Sequence, residues 1–133
     1  MGEEAVLEER VIGKHIVRFT APDHFHIQFI DDVSVAELSA LGDFFKLAKK
    51  VYLLVDASRM GAMSAEAKLV KKIPISAGSA VYGASTKARV ALSILNKVYM
   101  MVNLGKEVPL AFFDNEMEAR TWLEDVRAKA KAK

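Results

Sequence analysis

The sequence predicts an α/β protein built on one mixed β-sheet, and three observations support this fold class. The uninterrupted apolar run Val51–Val55 ends abruptly at Asp56 and Ser58, as a buried parallel strand does at the edge of a sheet. Clean apolar–polar alternation over His24–Ile30 indicates a strand with one buried face. After position 34, short apolar runs alternate with helical patterns, which is typical of parallel strands joined by crossover helices.

The composition indicates a single domain over residues 1–133. Its 133 residues are the common size of one domain, and 52% hydrophobic residues exclude a disordered chain. No uncharged apolar run reaches the about 18–20 residues of a membrane helix, and no signal-peptide pattern is present. We therefore expect a cytoplasmic protein without an integral membrane segment. The absence of cysteine excludes disulfides, thiol catalysis and cysteine metal sites.

The charge is unevenly spread along the chain. Residues 1–66 contain 7 basic and 11 acidic side chains, and residues 67–133 contain 12 and 6. We assign an acidic N-terminal extension to about residues 1–10 and a basic helix end to about residues 127–133, where cations favour the helix dipole. The net charge of only +2 gives no general reason to expect nucleic-acid binding.

The first elements are predicted to be a β-hairpin of Lys14–Thr20 and His24–Ile30 with one partly wet face. We expect His24 and His26 to be exposed on that face. The alternative is a metal pair completed by Asp23 or His15, but no third ligand is evident and we predict no metal site.

Capping signals then predict the first two helices. Ser34 and Glu37 form an S-x-x-E capping box, which begins a helix ahead of the strand Val51–Val55. Ser64 is the predicted N-cap of a second helix, which ends before Pro74 because proline disfavours helix in the preceding residue.

Two more strand–helix units complete the predicted order. The strand Gly78–Gly83 leads into a third helix capped by Ser85 or Thr86, and Val108–Phe113 leads into a fourth capped by Asp114 or Asn115. The prediction is about five strands and four helices in the order β-β-α-β-α-β-α-β-α.

Four segments carry a resemblance to a known family. They are LVDAS at 54–58, MSAEAK at 63–68, AVYGAS at 80–85 and FFDNEMEARTWL at 112–123, of which the last is the most specific. Together they resemble the SpoIIAA-like, or STAS/SEC14-type, family of small bacterial proteins, and the resemblance covers nearly the whole chain. It implies a SpoIIAA-like (STAS-like) fold and, more distantly, similarity to lipid-binding CRAL-TRIO domains. Most members of the family have no established activity.

The resemblance does not extend to the phosphorylation motif of the related anti-sigma factor antagonists. Their D-S-S/T-G motif caps the helix after the central strand and includes a phosphorylated serine. Here the corresponding residues are Ser64-Ala65-Glu66-Ala67, with alanine and glutamate at the serine positions. A surviving switch would have to use Ser64 or Ser58.

Polar residues at the predicted strand ends form a candidate rim for a ligand or partner. The rim residues are Asp56, Ser58, Ser64, Ser85, Thr86 and Asp114. Besides the helix cap predicted at Ser64, four of them have a structural alternative. Asp56 can accept backbone N–H groups of its own loop, and Ser85, Thr86 and Asp114 can cap helices rather than hold an anion.

The third predicted helix is apolar nearly all round, although packing on a sheet needs only one apolar stripe. Its excess face indicates ordinary core packing, a dimer interface or an apolar pocket, to which the loop Met60-Gly61-Ala62-Met63 adds adaptable methionines. The residues assigned to that interface or pocket are Met60, Met63, Leu95, Val98, Tyr99 and Met101.

These observations predict a non-enzymatic STAS-like regulatory or protein-interaction domain that is a homodimer through the third helix and needs no cofactor. The alternative is a carrier for a small apolar or lipid-like ligand. A hydrolase or phosphatase using Asp56 or Asp114 is the least favoured hypothesis, because the chain has no G-x-S-x-G or H-E-x-x-H motif.

Overall fold

A computed structural model describes residues 8–21, 24–34, 36–37, 39–41, 51–63, 78–102 and 109–131. These residues form one six-stranded sheet whose spatial order follows the chain. Its strands are β1 (Glu8–Ile12), β2 (His15–Ala21), β3 (His24–Val33), β4 (Tyr52–Met63), β5 (Gly78–Tyr82) and β6 (Leu110–Phe113). Strands β1 to β3 are antiparallel, and β3 to β6 are parallel. The predicted mixed sheet with an N-terminal antiparallel ribbon is confirmed.

Strand β1 corrects the predicted strand count from five to six. Glu8–Ile12 falls partly in the segment assigned to an acidic extension, yet it pairs with β2 along its whole length. A two-residue turn allows this pairing. Gly13 takes a φ of 63°, a conformation that costs glycine little, so that Ile12 comes to lie opposite His15.

Strand β4 is much longer than the predicted Val51–Val55. Its pairing with β5 ends at Asp56, but its pairing with β3 continues to Met63 through two register shifts. The carboxylate of Asp32 accepts the Ala62 N–H at 2.8 Å, which holds the two extended strands together. The prediction of a loop over Met60–Met63 is therefore wrong.

Three helices are described. Helix α1 is described over residues 36–37 and 39–41, α2 is Thr86–Val102 and α3 is Glu116–Lys131. The predicted capping box of α1 is confirmed, because Glu37 N–H donates to Ser34 Oγ at 3.2 Å and Ser34 N–H donates to Glu37 Oε1 at 2.9 Å. The predicted helix beginning at Ser64 lies outside the described residues.

The sheet lies between helices. On one face, β3 and β4 residues such as Phe25 and Val55 pack with Leu41 of α1 and Leu92 of α2. On the opposite face, the cluster combines strand residues with α3 residues: Tyr52, Leu54, Ala80, Tyr82, Ala119 and Leu123. Helices α1 and α2 therefore share one face, and α3 covers the other.

Candidate functional site

The candidate site lies where β5 and β6 end beside the middle of β4. Asp56 of β4 pairs with Tyr82, the last residue of β5, and Tyr82 pairs with Phe113, the last residue of β6. This edge joins the β5–α2 turn and the start of α3. It brings together five of the six predicted rim residues or the elements that contain them, and Ser64 lies outside the described residues.

Asp56 and Ser58 bind each other. Both the Ser58 N–H, at 3.0 Å, and the Ser58 hydroxyl, at 2.6 Å, donate to Asp56 Oδ1. The side-chain amide of Gln28 lies 3.5 Å from the other carboxylate oxygen. Of the two alternatives for Asp56, this geometry matches the structural one, in which the carboxylate satisfies nearby donors and shapes its own strand.

The turn into α2 lies close against Ser58. Gly83 has a φ of 74°, and a Cβ at that position would lie 2.9 Å from the Ser58 Cβ. Two residues later, Ser85 Oγ accepts the Ala88 N–H at 3.1 Å, so Ser85 caps α2 as predicted. Thr86 is the exposed first residue of that helix.

Arg89 connects α2 to the end of β6. Its Nη2 lies 3.6 Å from Asp114 Oδ1, and its Nε donates to the Ala84 carbonyl at 3.3 Å. The guanidinium carbon also lies 5.6 Å from the centre of the Phe112 ring. Asp114 is otherwise exposed, and Asn115 caps α3 by accepting the Glu118 N–H at 2.9 Å.

A polar network beneath this edge, buried at His26 and Tyr82 and exposed at Glu116, was not predicted. The Tyr82 hydroxyl donates to Glu116 Oε1 at 3.2 Å, and His26 Nε2 lies 2.9 Å from the same hydroxyl. Because the one hydroxyl proton is directed to Glu116, His26 Nε2 is assigned as the donor to Tyr82. Arg120 Nε donates to Glu116 Oε2 at 2.7 Å. The network thus links β3, β5 and α3.

Tyr82 is held in its protonated form. Burial raises the pKa of its phenol, and the carboxylates of Asp56 and Glu116 raise it further. A neutral hydroxyl can accept from His26 and donate to Glu116 at the same time. The arrangement fixes α3 on the sheet, and it has the chemistry of a structural hydrogen-bond chain rather than of an ionised nucleophile.

The expected exposure of the paired histidines is wrong. His24 is 6% exposed and His26 is 9% exposed. His26 is covered because its ring packs toward Tyr82, with the ring centres 6.2 Å apart. The side of β3 that was predicted to be partly wet is therefore largely buried beside α3.

His15, a possible metal ligand from the sequence, has both ring nitrogens engaged. Nδ1 accepts the Ile30 N–H at 3.0 Å, so Nε2 is the protonated nitrogen that donates to Glu37 Oε1 at 3.1 Å. Burial would raise the pKa of Glu37, but the hydrogen bonds from Ser34 and His15 outweigh it and lower that pKa. In the described part of the chain, no three histidine or acidic side chains are grouped to hold a metal ion.

The apolar surface predicted on the third helix is described only in part. Met60 is half-buried and packs against the core cluster that contains Phe25, Val55 and Leu41. The side chains of Met63, Leu95, Val98, Tyr99 and Met101 lie outside what the structure describes. Two other α2 side chains, one helical turn apart, point away from the core, with Val90 55% and Ile94 39% exposed. Among the described helices, none has the length and apolar character required to cross a membrane.

Comparisons with protein-family models, with curated proteins and with solved structures find no significant match to this chain.

Proposed function

We propose that this chain is a non-enzymatic, STAS-like regulatory or protein-interaction domain that works as a homodimer in the cytoplasm. The observation that supports the protein-interaction role most directly is the outward side of α2. Val90 and Ile94 remain exposed there at helical spacing, while Ala88 and Leu92 of the same helix turn toward the sheet. Apolar side chains left in water on a regular helix favour contact with another protein surface.

The polar rim supports the non-enzymatic part of the proposal. Asp56 is satisfied by Ser58, Ser85 caps α2, and Asp114 faces Arg89. Each group has a structural task, and the phenol of Tyr82 is kept neutral. A surface of this kind suits recognition by a partner better than bond cleavage.

Sedimentation velocity of the purified protein tests the proposal. A homodimer gives a species of twice the chain mass of 14.7 kDa at micromolar concentration. A strictly monomeric protein up to the highest soluble concentration would overturn the homodimer.

A carrier of a small apolar or lipid-like ligand is the competing proposal, since the same exposed α2 side chains suit an apolar molecule. Native mass spectrometry of freshly purified protein separates the two. Extra mass bound to each chain, removed by organic extraction, favours the carrier, and a bare dimer favours the interaction domain.

A further inference from the structure

Strand β6 forms one end of the sheet, and no strand among the described residues pairs with its outer side. Its sequence, Leu110–Phe113, contains only apolar residues, and all four are half-buried. The opposite end of the sheet is different. There, β1 contains Glu8, Glu9 and Arg10, and such charged side chains discourage pairing with another strand.

The hydrogen bonds to β5 determine which backbone groups of β6 point outward. Ser79 N–H donates to the Pro109 carbonyl at 2.9 Å, and Gly83 N–H donates to the Phe113 carbonyl at 3.1 Å. Successive residues of a strand direct their backbone groups to opposite sides, so Pro109, Ala111 and Phe113 face β5. Leu110 and Phe112 therefore direct their N–H and C=O groups to the outer edge.

We infer that this edge pairs with the β6 edge of a second copy of the chain and forms the dimer interface. The inference rests on the homodimer of the proposed function. It moves the interface from α2 to β6 and leaves the exposed α2 side chains for a protein partner.

The edge is self-complementary in one antiparallel register. Leu110 then lies opposite the second copy's Phe112, and Phe112 opposite the second copy's Leu110, so that all the outward N–H and C=O groups of these two residues are paired. The small Ala111 falls on the two-fold axis, where the backbones approach most closely. Leu110 and Phe112 lie on the same face, so each pair also forms an apolar cross-strand contact.

Amide hydrogen exchange measured by NMR tests the interface without any substitution. We expect the Leu110 and Phe112 amides to be protected at high protein concentration and to exchange at least about tenfold faster when dilution dissociates the dimer. The Ala111 and Phe113 amides, which face β5, should be protected at both concentrations. If dilution dissociates the dimer and the Leu110 and Phe112 amides exchange equally fast before and after, the β6 interface is overturned while the homodimer stands.

Matched substitutions at the two ends of the sheet give a second test. Leu110→Lys places a charge on β6, at a half-buried residue that also packs against the core, and is expected to raise the dimer dissociation constant by at least about tenfold. Val11→Lys adds a charge at the other end of the sheet, on β1, at a residue that is 66% exposed, and should leave dimerisation unchanged. Circular dichroism checks that both variants fold.

Val90→Glu separates the two possible interfaces. Under the β6 inference this variant of α2 remains a dimer. Loss of the dimer in Val90→Glu, with Leu110→Lys still dimeric, would overturn the inference and return the interface to α2. A wild-type chain that is monomeric at every concentration would overturn both the inference and the homodimer.

Discussion

Replacing Tyr82 with phenylalanine tests the buried network that fastens α3 to the sheet. The change removes one oxygen and keeps the ring, so packing against Leu54 and Ala119 is preserved. The lost oxygen is the acceptor for His26 Nε2 at 2.9 Å and the donor to Glu116 at 3.2 Å. We expect the variant to fold and to be less stable.

The size of the expected decrease in the free energy of unfolding depends on what each partner of the Tyr82 hydroxyl loses. Glu116 keeps its bond from Arg120 and is partly exposed, so its loss is small. The His26 N–H is buried and loses the Tyr82 oxygen as an acceptor. Removing one partner of a buried hydrogen bond costs about 1–3 kcal/mol, which is the expected decrease in the free energy of unfolding.

Urea unfolding followed by the fluorescence of Trp122, the single tryptophan, measures this decrease. Trp122 is on α3 with its ring centre 5.8 Å from that of Phe113, so its emission reports on the docking of the helix. All samples need the same protein concentration, because dimerisation makes apparent stability depend on it. Thr121→Val removes an exposed hydroxyl from the same helix and should change stability by less than about 0.5 kcal/mol.

The pH dependence of the Tyr82→Phe effect gives an independent check. The pKa of Tyr82 is raised above its ordinary value of 10.0 in the folded state, so the folded chain holds this proton more tightly than the unfolded chain. Its contribution is full below pH 10 and is lost as the pH rises further. The stability difference between wild type and variant should therefore narrow above pH 10. A variant as stable as wild type near neutral pH would refute the conclusion that the network stabilises the packing of α3 on the sheet.

Three further predictions address other parts of the fold. Gly83→Ala should lower the free energy of unfolding by about 1–3 kcal/mol, because the residue has a φ of 74° and touches Ser58; an unchanged urea midpoint would contradict this. The free energy of unfolding of the wild type should decrease as the pH drops below about 4.5, because hydrogen bonds lower the pKa of Glu37 in the folded state. Glu37→Gln should make this decrease smaller, and an equal decrease in the two proteins would contradict the prediction. Leu123→Ala should lower the free energy of unfolding measured in urea by about 2–5 kcal/mol, since Leu123 of α3 is fully buried against the sheet. A loss below about 1 kcal/mol would contradict this.

Local signals predicted the elements whose structure is decided within a few residues. The capping box at Ser34 and the caps at Ser85 and Asn115 each span four residues, and the hydrogen bond of each is present. The alternation in β3 predicted which side chains face the core of the sheet. Such features can be predicted from neighbouring residues alone, without reference to distant parts of the chain.

Features decided by distant pairing could not be predicted in this way. Strand β1 forms by pairing with the edge of β2, and the second half of β4 forms by pairing with β3. His26 and Tyr82 are 56 residues apart in the sequence, and Tyr82 and Glu116 are 34 apart, so no local sequence pattern predicts their contact. The polar side of the alternating strand β3 indicates exposure to solvent, but α3, which follows much later in the sequence, covers that face of the sheet.

Native mass spectrometry of the freshly purified protein distinguishes the homodimeric interaction domain from the carrier. A homodimeric interaction domain gives a species of twice the chain mass of 14.7 kDa, with no additional bound mass. A single chain that retains a small apolar molecule would contradict the homodimeric interaction domain and favour the carrier.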